Sequence, residues 1–179
     1  MKQKRQDNRA TVYIICFLLL IIVGIYFAAL TSIRIENYQN PFRFILIFGT
    51  LGLIFGYIIA RKLKPFIQKH PKELATYSIH KIFWVLIFVP YFSFVGAIVN
   101  NNLSEIDLCN EYSVINKIRK KRIRATEINQ LIVDINGRPV GLYCSHDYLD
   151  KTKYGDSINI CFYISKIGFD FMNITNDKK

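Results

Sequence analysis

Twenty consecutive residues without a charge, Thr11 to Leu30, constrain this chain more than any other feature. At 1.5 Å of rise per residue, a helix of that length covers about 30 Å, one hydrocarbon core. A second uncharged run, Phe44 to Ala60, sits near the lower limit for a span. Arg43 at its edge can reach the headgroups with its long side chain. A third run, Ile82 to Val99, contains Pro90, which removes one backbone hydrogen bond and predicts a kink. Trp84 near the start of that run suits an interface, where amphipathic rings collect. The first run follows a basic start, MKQKR, but it is longer than the apolar core of a signal peptide. Ala28 and Ala29 lack cleavage-site spacing, and Ile14 and Ile15 before Cys16 do not suit a lipoprotein signal, so the run reads as an uncleaved anchor.

Composition adds where the charge lies. The chain is 51% hydrophobic with a formal net charge of +11. Residues 1–99 carry +9 of that charge and residues 100–179 carry +2. A nucleic-acid binder concentrates positive charge on its folded domain, so no nucleic-acid partner is expected. The reading is a transmembrane module over residues 1–99, with three helices, and a small all-β domain over residues 100–179.

Charge also sets an expected orientation. Lys2, Lys4, Arg5 and Arg9 precede the first run, and Arg61, Lys62, Lys64, Lys69, Lys72 and Lys81 lie between the second and third. The Thr31–Pro41 loop has only Arg34 against Glu36, and residues 100–116 hold Glu105, Asp107 and Glu111 with no basic residue. Basic residues near span ends stay cytoplasmic. The N-terminus and the 61–81 loop are therefore expected inside a cell membrane, and the first loop and the C-terminal domain outside. The basic run from Lys117 to Arg124 opposes this, but it lies far enough past the span for the rule to weaken.

Within the second run, Gly52 and Gly56 form a GxxxG pair with Gly49 beside them. Small residues at this spacing let helix backbones approach closely in lipid. The face predicts helix packing, either within the chain or as a homo-oligomer contact. No ionisable residue lies near the middle of any run, which argues against an ion or proton pathway.

The C-terminal segment alternates in the manner of strands. Leu131, Val133 and Ile135 share one face, and Asn136-Gly137 is the pair a type I′ hairpin turn requires. The return strand, Val140 to Cys144, follows Pro139, which cannot donate to a ladder and points to an edge. A second strand, Ser157 to Ile164, is followed by Lys166 to Met172, with a bulge at Gly168. His146 to Lys153 reads as a helical turn or a loop, and Glu111 to Arg122 as a first strand entered from an Asn100–Cys109 linker. Five to six short strands predict a small SH3-like or OB-like barrel or a twisted sheet.

Candidate chemistry is sparse. Cys109, Cys144 and Cys161 lie in the segment assigned outside, where a disulfide can form, but three cysteines leave the pairing open. Cys144-Ser145-His146-Asp147 carries a cysteine, a serine and a histidine, yet there is no CxxC, HExxH or GxSxG. No metal, cofactor or catalytic residue is assigned, and an enzyme is not expected. Lys117, Arg119, Lys120, Lys121, Arg122 and Arg124 are candidates for phosphate or anion contact, against the simpler role of charging an edge strand. Tyr143, Tyr163 and Tyr148 are candidates for a partner surface, because tyrosine joins a rigid face to a polar tip.

Two functions fit. The first is a membrane-anchored, non-enzymatic binding or accessory protein whose external β domain engages a partner protein or envelope component, as an immunity-type protein or a membrane-complex subunit. The second is an oligomeric membrane effector or pore whose β domain senses a ligand such as a nucleotide signal.

Overall fold

The structure is a computed structural model that describes residues 2–67, 74–120 and 128–177. Its elements in order are α1 (Lys2–Ile35), α2 (Pro41–Ile67), α3 (Leu74–Asn102), β1 (Ser104–Lys120), β2 (Ile128–Ile135), β3 (Arg138–Tyr143), α4 (His146–Lys151), β4 (Ser157–Ser165) and β5 (Phe171–Ile174). Two compact units result: residues 1–34 with 42–98, and residues 35–41 with 99–179.

Among the described residues three helices are long and apolar enough to cross a membrane, over Ile15–Ile35, Pro41–Lys62 and Val85–Asn102, which points to membrane association. Pro41 opens α2, where its missing N–H costs nothing. Pro90 lies inside α3 without ending it. The helices meet where side chains are smallest. A Cβ on Gly52 would lie 2.7 Å from the Phe88 carbonyl oxygen and 2.8 Å from the Val89 Cα. A Cβ on Gly96 would meet the Phe48 ring, so α2 and α3 each lend the other a glycine. On the other side of α3, Gly24 of α1 faces Pro90 and Tyr91, Phe27 stacks on Phe94 at 4.4 Å, and the Tyr91 hydroxyl donates to the Leu20 carbonyl at 2.8 Å. Arg34, at the end of α1, lies over the Phe94 ring at 5.6 Å, sheltering a charge that has little apolar space to enter.

Among the described residues the second unit holds a curled, five-stranded antiparallel sheet, a half-barrel in the order β3-β2-β1-β4-β5. Of the two expected forms, a small barrel or a twisted sheet, the sheet is curled but open, and the cause is β1. That strand has 17 residues, and its two halves serve different neighbours. Residues from Ser104 to Ser113 pair with β4, and those from Val114 to Lys120 pair with β2. Register shifts at Ile106/Leu108 and Val114/Asn116 bend it, as bulges do, so one strand turns the sheet without closing it. The expected linker does not exist: Leu103 alone separates α3 from β1, so Cys109 is a strand residue.

The hairpin turn follows the sequence reading. Asn136 and Gly137 have φ of 55° and 78°, and β2 and β3 pair from Ile135↔Arg138 outwards. Gly168 is not a bulge: its φ of 83° places it in the turn between β4 and β5, with its N–H donating to the Ser165 carbonyl. The segment after Cys144 is a short helix, α4, capped by the Ser145 hydroxyl, which accepts from the Tyr148 N–H. Leu149 points from α4 into the core formed by Val114, Leu131, Val133, Leu142, Cys144, Ile158, Ile160 and Ile174.

The short connection between α1 and α2 belongs to this second unit, which the boundary at residue 99 did not anticipate. Tyr38 bridges to Phe171 as an extra antiparallel rung beside β5, and the Met172 N–H donates to the Asn37 carbonyl. On its other side Asn37 holds β3. Its side-chain amide donates to the Tyr143 carbonyl at 3.1 Å, and its side-chain oxygen accepts from the Tyr143 N–H at 2.8 Å. One asparagine thus satisfies backbone groups of one edge strand while its own backbone extends the other.

Candidate interaction surface

Strand alternation separates an inner face from an outer one. Ile158, Ile160 and Phe162 of β4 point into the core, so Cys161 and Tyr163 point out. Tyr163 stacks on Phe171 at 4.7 Å with ring planes 4° apart, and Phe171 stacks on Tyr38 at 5.4 Å. The row Tyr163–Phe171–Tyr38 therefore crosses from β4 over β5 to the α1–α2 connection, which in turn bonds Tyr143. Tyr163 and Phe171 are half-buried and Tyr38 is buried, so the row is rigid at one end and accessible at the other.

A disulfide lies on the same face. Cys109 and Cys161 are direct cross-strand partners, with Cα atoms 4.1 Å apart. The bond ties β1 to β4 two residues from Tyr163. Cys144 lies outside the disulfide and is buried in the core.

Beneath the row is a polar joint. The fully buried Asn100 donates from its amide to the Phe169 carbonyl at 2.8 Å and accepts from the Ser165 hydroxyl at 2.6 Å. Its own carbonyl accepts from the Ser104 hydroxyl at 2.6 Å. Asn101 accepts from the Tyr38 hydroxyl at 2.7 Å, and Asp170 accepts from the Ser165 N–H at 2.9 Å. The end of α3, the start of β1, the β4–β5 turn and the α1–α2 connection are thereby joined through hydrogen bonds in which each buried group is satisfied.

The candidate tyrosines separate. Tyr163 is part of the aromatic row, and Tyr143, beside the inward-facing Leu142, lies on the outer face with its backbone bonded to Asn37. Tyr148 packs its ring against the core, and its phenol is pushed above its usual range by burial first and then by the charges of Asp177, Cys144 and Asp156. The basic run is engaged where it is described. The Lys117 ammonium donates to the Thr152 carbonyl, and the Arg119 guanidinium pairs with Asp150. Lys121, Arg122 and Arg124 lie outside the described residues, as does the side chain of Lys120. His146 approaches Asp150 at 3.3 Å. Among the described residues no group of three His, Cys, Asp or Glu side chains could hold a metal ion. Gly49 and Gly52 face α3 of the same chain, and Gly56 is buried.

Asn37, Tyr38, Asn100 and Phe171 escaped the sequence reading. The three successive asparagines at the end of the third span were a signal, because they stand where an apolar run meets a strand. Tyr38 carried none, since its partner lies 133 residues away. Set against protein-family models, curated proteins and solved structures, the chain finds no match in any of the three.

Proposed function

We propose that this protein is a membrane-anchored, non-enzymatic binding or accessory protein whose β domain lies outside the cytoplasm and engages a partner protein or envelope component. The observation that carries the reading is the outer face: a row of stacked aromatic rings, half-accessible at Tyr163 and Phe171, clamped by a cross-strand disulfide. Rigid aromatic surface loses little side-chain entropy on binding, which suits an interface. The disulfide favours an oxidising compartment, in agreement with the charge asymmetry of the loops. The α1–α2 connection and the C-terminal domain share one compact unit, which supports reading both on the same side of the membrane.

The effector reading has less to draw on. Gly52 is occupied by α3, and the described cations Lys117 and Arg119 are held by α4 and the residue after it.

Two measurements in cells test the proposal. A C-terminal alkaline phosphatase fusion is expected to be active and a C-terminal cytoplasmic reporter silent. A photo-crosslinking residue at Tyr163 is expected to give a discrete product that Phe171→Ala abolishes. Activity from the cytoplasmic reporter alone would reject the external placement. No product at Tyr163 would reject the binding face.

A further inference from the structure

A strand with no neighbour on one side presents a row of backbone groups that pair readily with another chain. This sheet covers two of its edges. Along β5 the Met172 N–H donates to the Asn37 carbonyl, and the Asp170 carbonyl accepts from the Gln39 N–H. Along β3, Pro139 has no N–H to offer, and the Asn37 side chain bonds both backbone groups of Tyr143. A third edge exists because β1 is longer than β2. Pairing with β2 begins at Val114. Residues 104–113 therefore have β4 on one side and, among the described residues, no strand on the other. Nothing in that stretch is Lys, Arg or Pro, although Lys and Pro are the residues that commonly guard an edge.

The bonds at each end of this stretch fix which backbone groups are free. The Val114 N–H donates to the Asp156 carbonyl, and the Val114 carbonyl accepts from the Gly155 N–H, so Val114 turns its groups to the β4 side. Antiparallel pairing alternates along a strand. Tyr112, Asn110 and Leu108 therefore turn to β4, while Glu111 and Cys109 turn away. An independent bond agrees: Asn159, opposite Glu111, gives its carbonyl to the Thr175 N–H on the far side of β4. At the other end the Leu103 carbonyl accepts from the Lys166 N–H, so Glu105 turns to β4 and Ile106 turns away. The register shift between Ile106 and Leu108 reconciles the two counts. The N–H and carbonyl groups of Ile106, Cys109 and Glu111 thus line the open side. The aromatic row runs into the same edge. Tyr38 and Phe171, Phe171 and Tyr163, and Tyr163 and Ile106 are direct cross-strand partners, so the four side chains form one ladder that stops at Ile106.

We propose that residues 104–113 of β1 are a strand-addition edge, and that its occupant is an extended, basic segment of the partner protein. The proposal rests on the binding reading above and names how that partner is held. Main-chain bonds to Ile106, Cys109 and Glu111 supply the attachment, and alternate side chains of the added strand supply the selectivity. On the outer face the added strand places its next rung beside Ile106, which is 59% exposed, and so lengthens the aromatic ladder. Charge selects the occupant. Glu105 already pairs with Lys166 at 2.6 Å, so the exposed Asp107 and Glu111 set the sign of the edge. Two copies of this chain paired along the edge bring their acids together, and like charges set opposite across strands are destabilising. A segment carrying Lys or Arg meets no such repulsion.

The test uses the full chain in detergent at physiological salt. The probe is a fluorescent octapeptide of alternating lysine and valine, read by anisotropy. A copy N-methylated throughout keeps the charge and side chains and loses every backbone donor. The plain peptide is expected to bind at least tenfold more tightly than the methylated copy and than a glutamate–valine octapeptide. Glu111→Pro removes one outward N–H and leaves the ladder to β4, so it is expected to weaken binding at least tenfold. Circular dichroism checks the strand signal first. If Glu111→Pro does not keep it, Asp107→Lys/Glu111→Lys carries the test and is expected to prefer the glutamate–valine peptide. Absence of binding overturns the proposal. Equal binding of the plain and methylated peptides shows adhesion by charge alone and also overturns it. Self-association of the chain without peptide, abolished by Glu111→Pro, gives the edge to a second copy and overturns it as well. In cells, the crosslink from Tyr163 separates this proposal from the binding reading. Loss of the product in Glu111→Pro supports strand addition. A product that survives Glu111→Pro places the partner on the face alone, which overturns strand addition and leaves the binding reading standing. No product in the parent rejects the binding reading and the proposal with it.

Discussion

Asn100 has no solvent exposure, yet it is polar on every side. Its position is tolerable because both ends of its amide are bonded, to Phe169 and Ser165, and a buried amide left without partners costs about 1–3 kcal/mol. Asn100→Ala leaves the Ser165 hydroxyl and the Phe169 carbonyl without that partner, so thermal or urea unfolding in detergent should show a loss of about 2 kcal/mol. An unchanged midpoint would show that the joint is not what holds the turn. At Tyr148 the prediction concerns pH. Burial and neighbouring negative charge raise its phenol above the ordinary 10.0. The neutral form is the one the fold accommodates. Its contribution is therefore complete below the unfolded value and is lost as pH rises through the folded one. Tyr148→Phe removes the group that titrates, so the fall in melting temperature from below pH 10.0 to above it should be smaller than in the parent. Equal falls would reject the assignment. None of these bonds was legible in the sequence. Asn100 read as the start of a linker, because nothing local reveals that Ser165 and Phe169 fold back upon it.

Single elements show where pattern reading succeeds. The β2–β3 hairpin was legible because its information is local: alternation selects the buried face, and Asn136-Gly137 supplies positive φ at both turn positions. β1 was misread at its start, which lies at Ser104 and not at Glu111. Residues 104–111 do not alternate, since little of that half is buried, so periodicity had nothing to report. The helices give a sharper test. At Gly52 an added Cβ would strike backbone atoms of α3, which cannot rotate away as a side chain can, whereas at Gly49 the nearest atom is the Val89 Cγ1 at 3.6 Å, an ordinary contact. Gly52→Ala should therefore lower the midpoint of denaturation in a mixed-detergent titration, and Gly49→Ala should leave it nearly unchanged. If both behave alike, the α2–α3 approach is not as close as these contacts require. The contrast also separates packing within the chain from a homo-oligomer seam, which would penalise both glycines of one face.

For the molecule as a whole, the disulfide between Cys109 and Cys161 closes a separation of 52 residues within a domain of modest core. Loop-closure entropy for that length amounts to about 4 kcal/mol. The double variant Cys109→Ser/Cys161→Ser should unfold at clearly lower urea concentration under oxidising conditions, and the difference from the parent should vanish in reductant. A difference that persists in reductant would mean that serine disturbs packing instead. What the sequence by itself determined was whatever depends on neighbours along the chain: the three apolar runs, the loop charges, the hairpin and the division into a helical and a β-rich part. A helix long enough to span, or a turn that needs positive φ, is specified within a few residues because its energy is local. Only the tertiary structure decided which cysteines pair, that Asn37 and Tyr38 extend the sheet, that α3 passes into β1 without a linker, and that the barrel stays open. Each of these rests on groups brought together from distant parts of the chain, and their pairing energy appears only once the chain has folded.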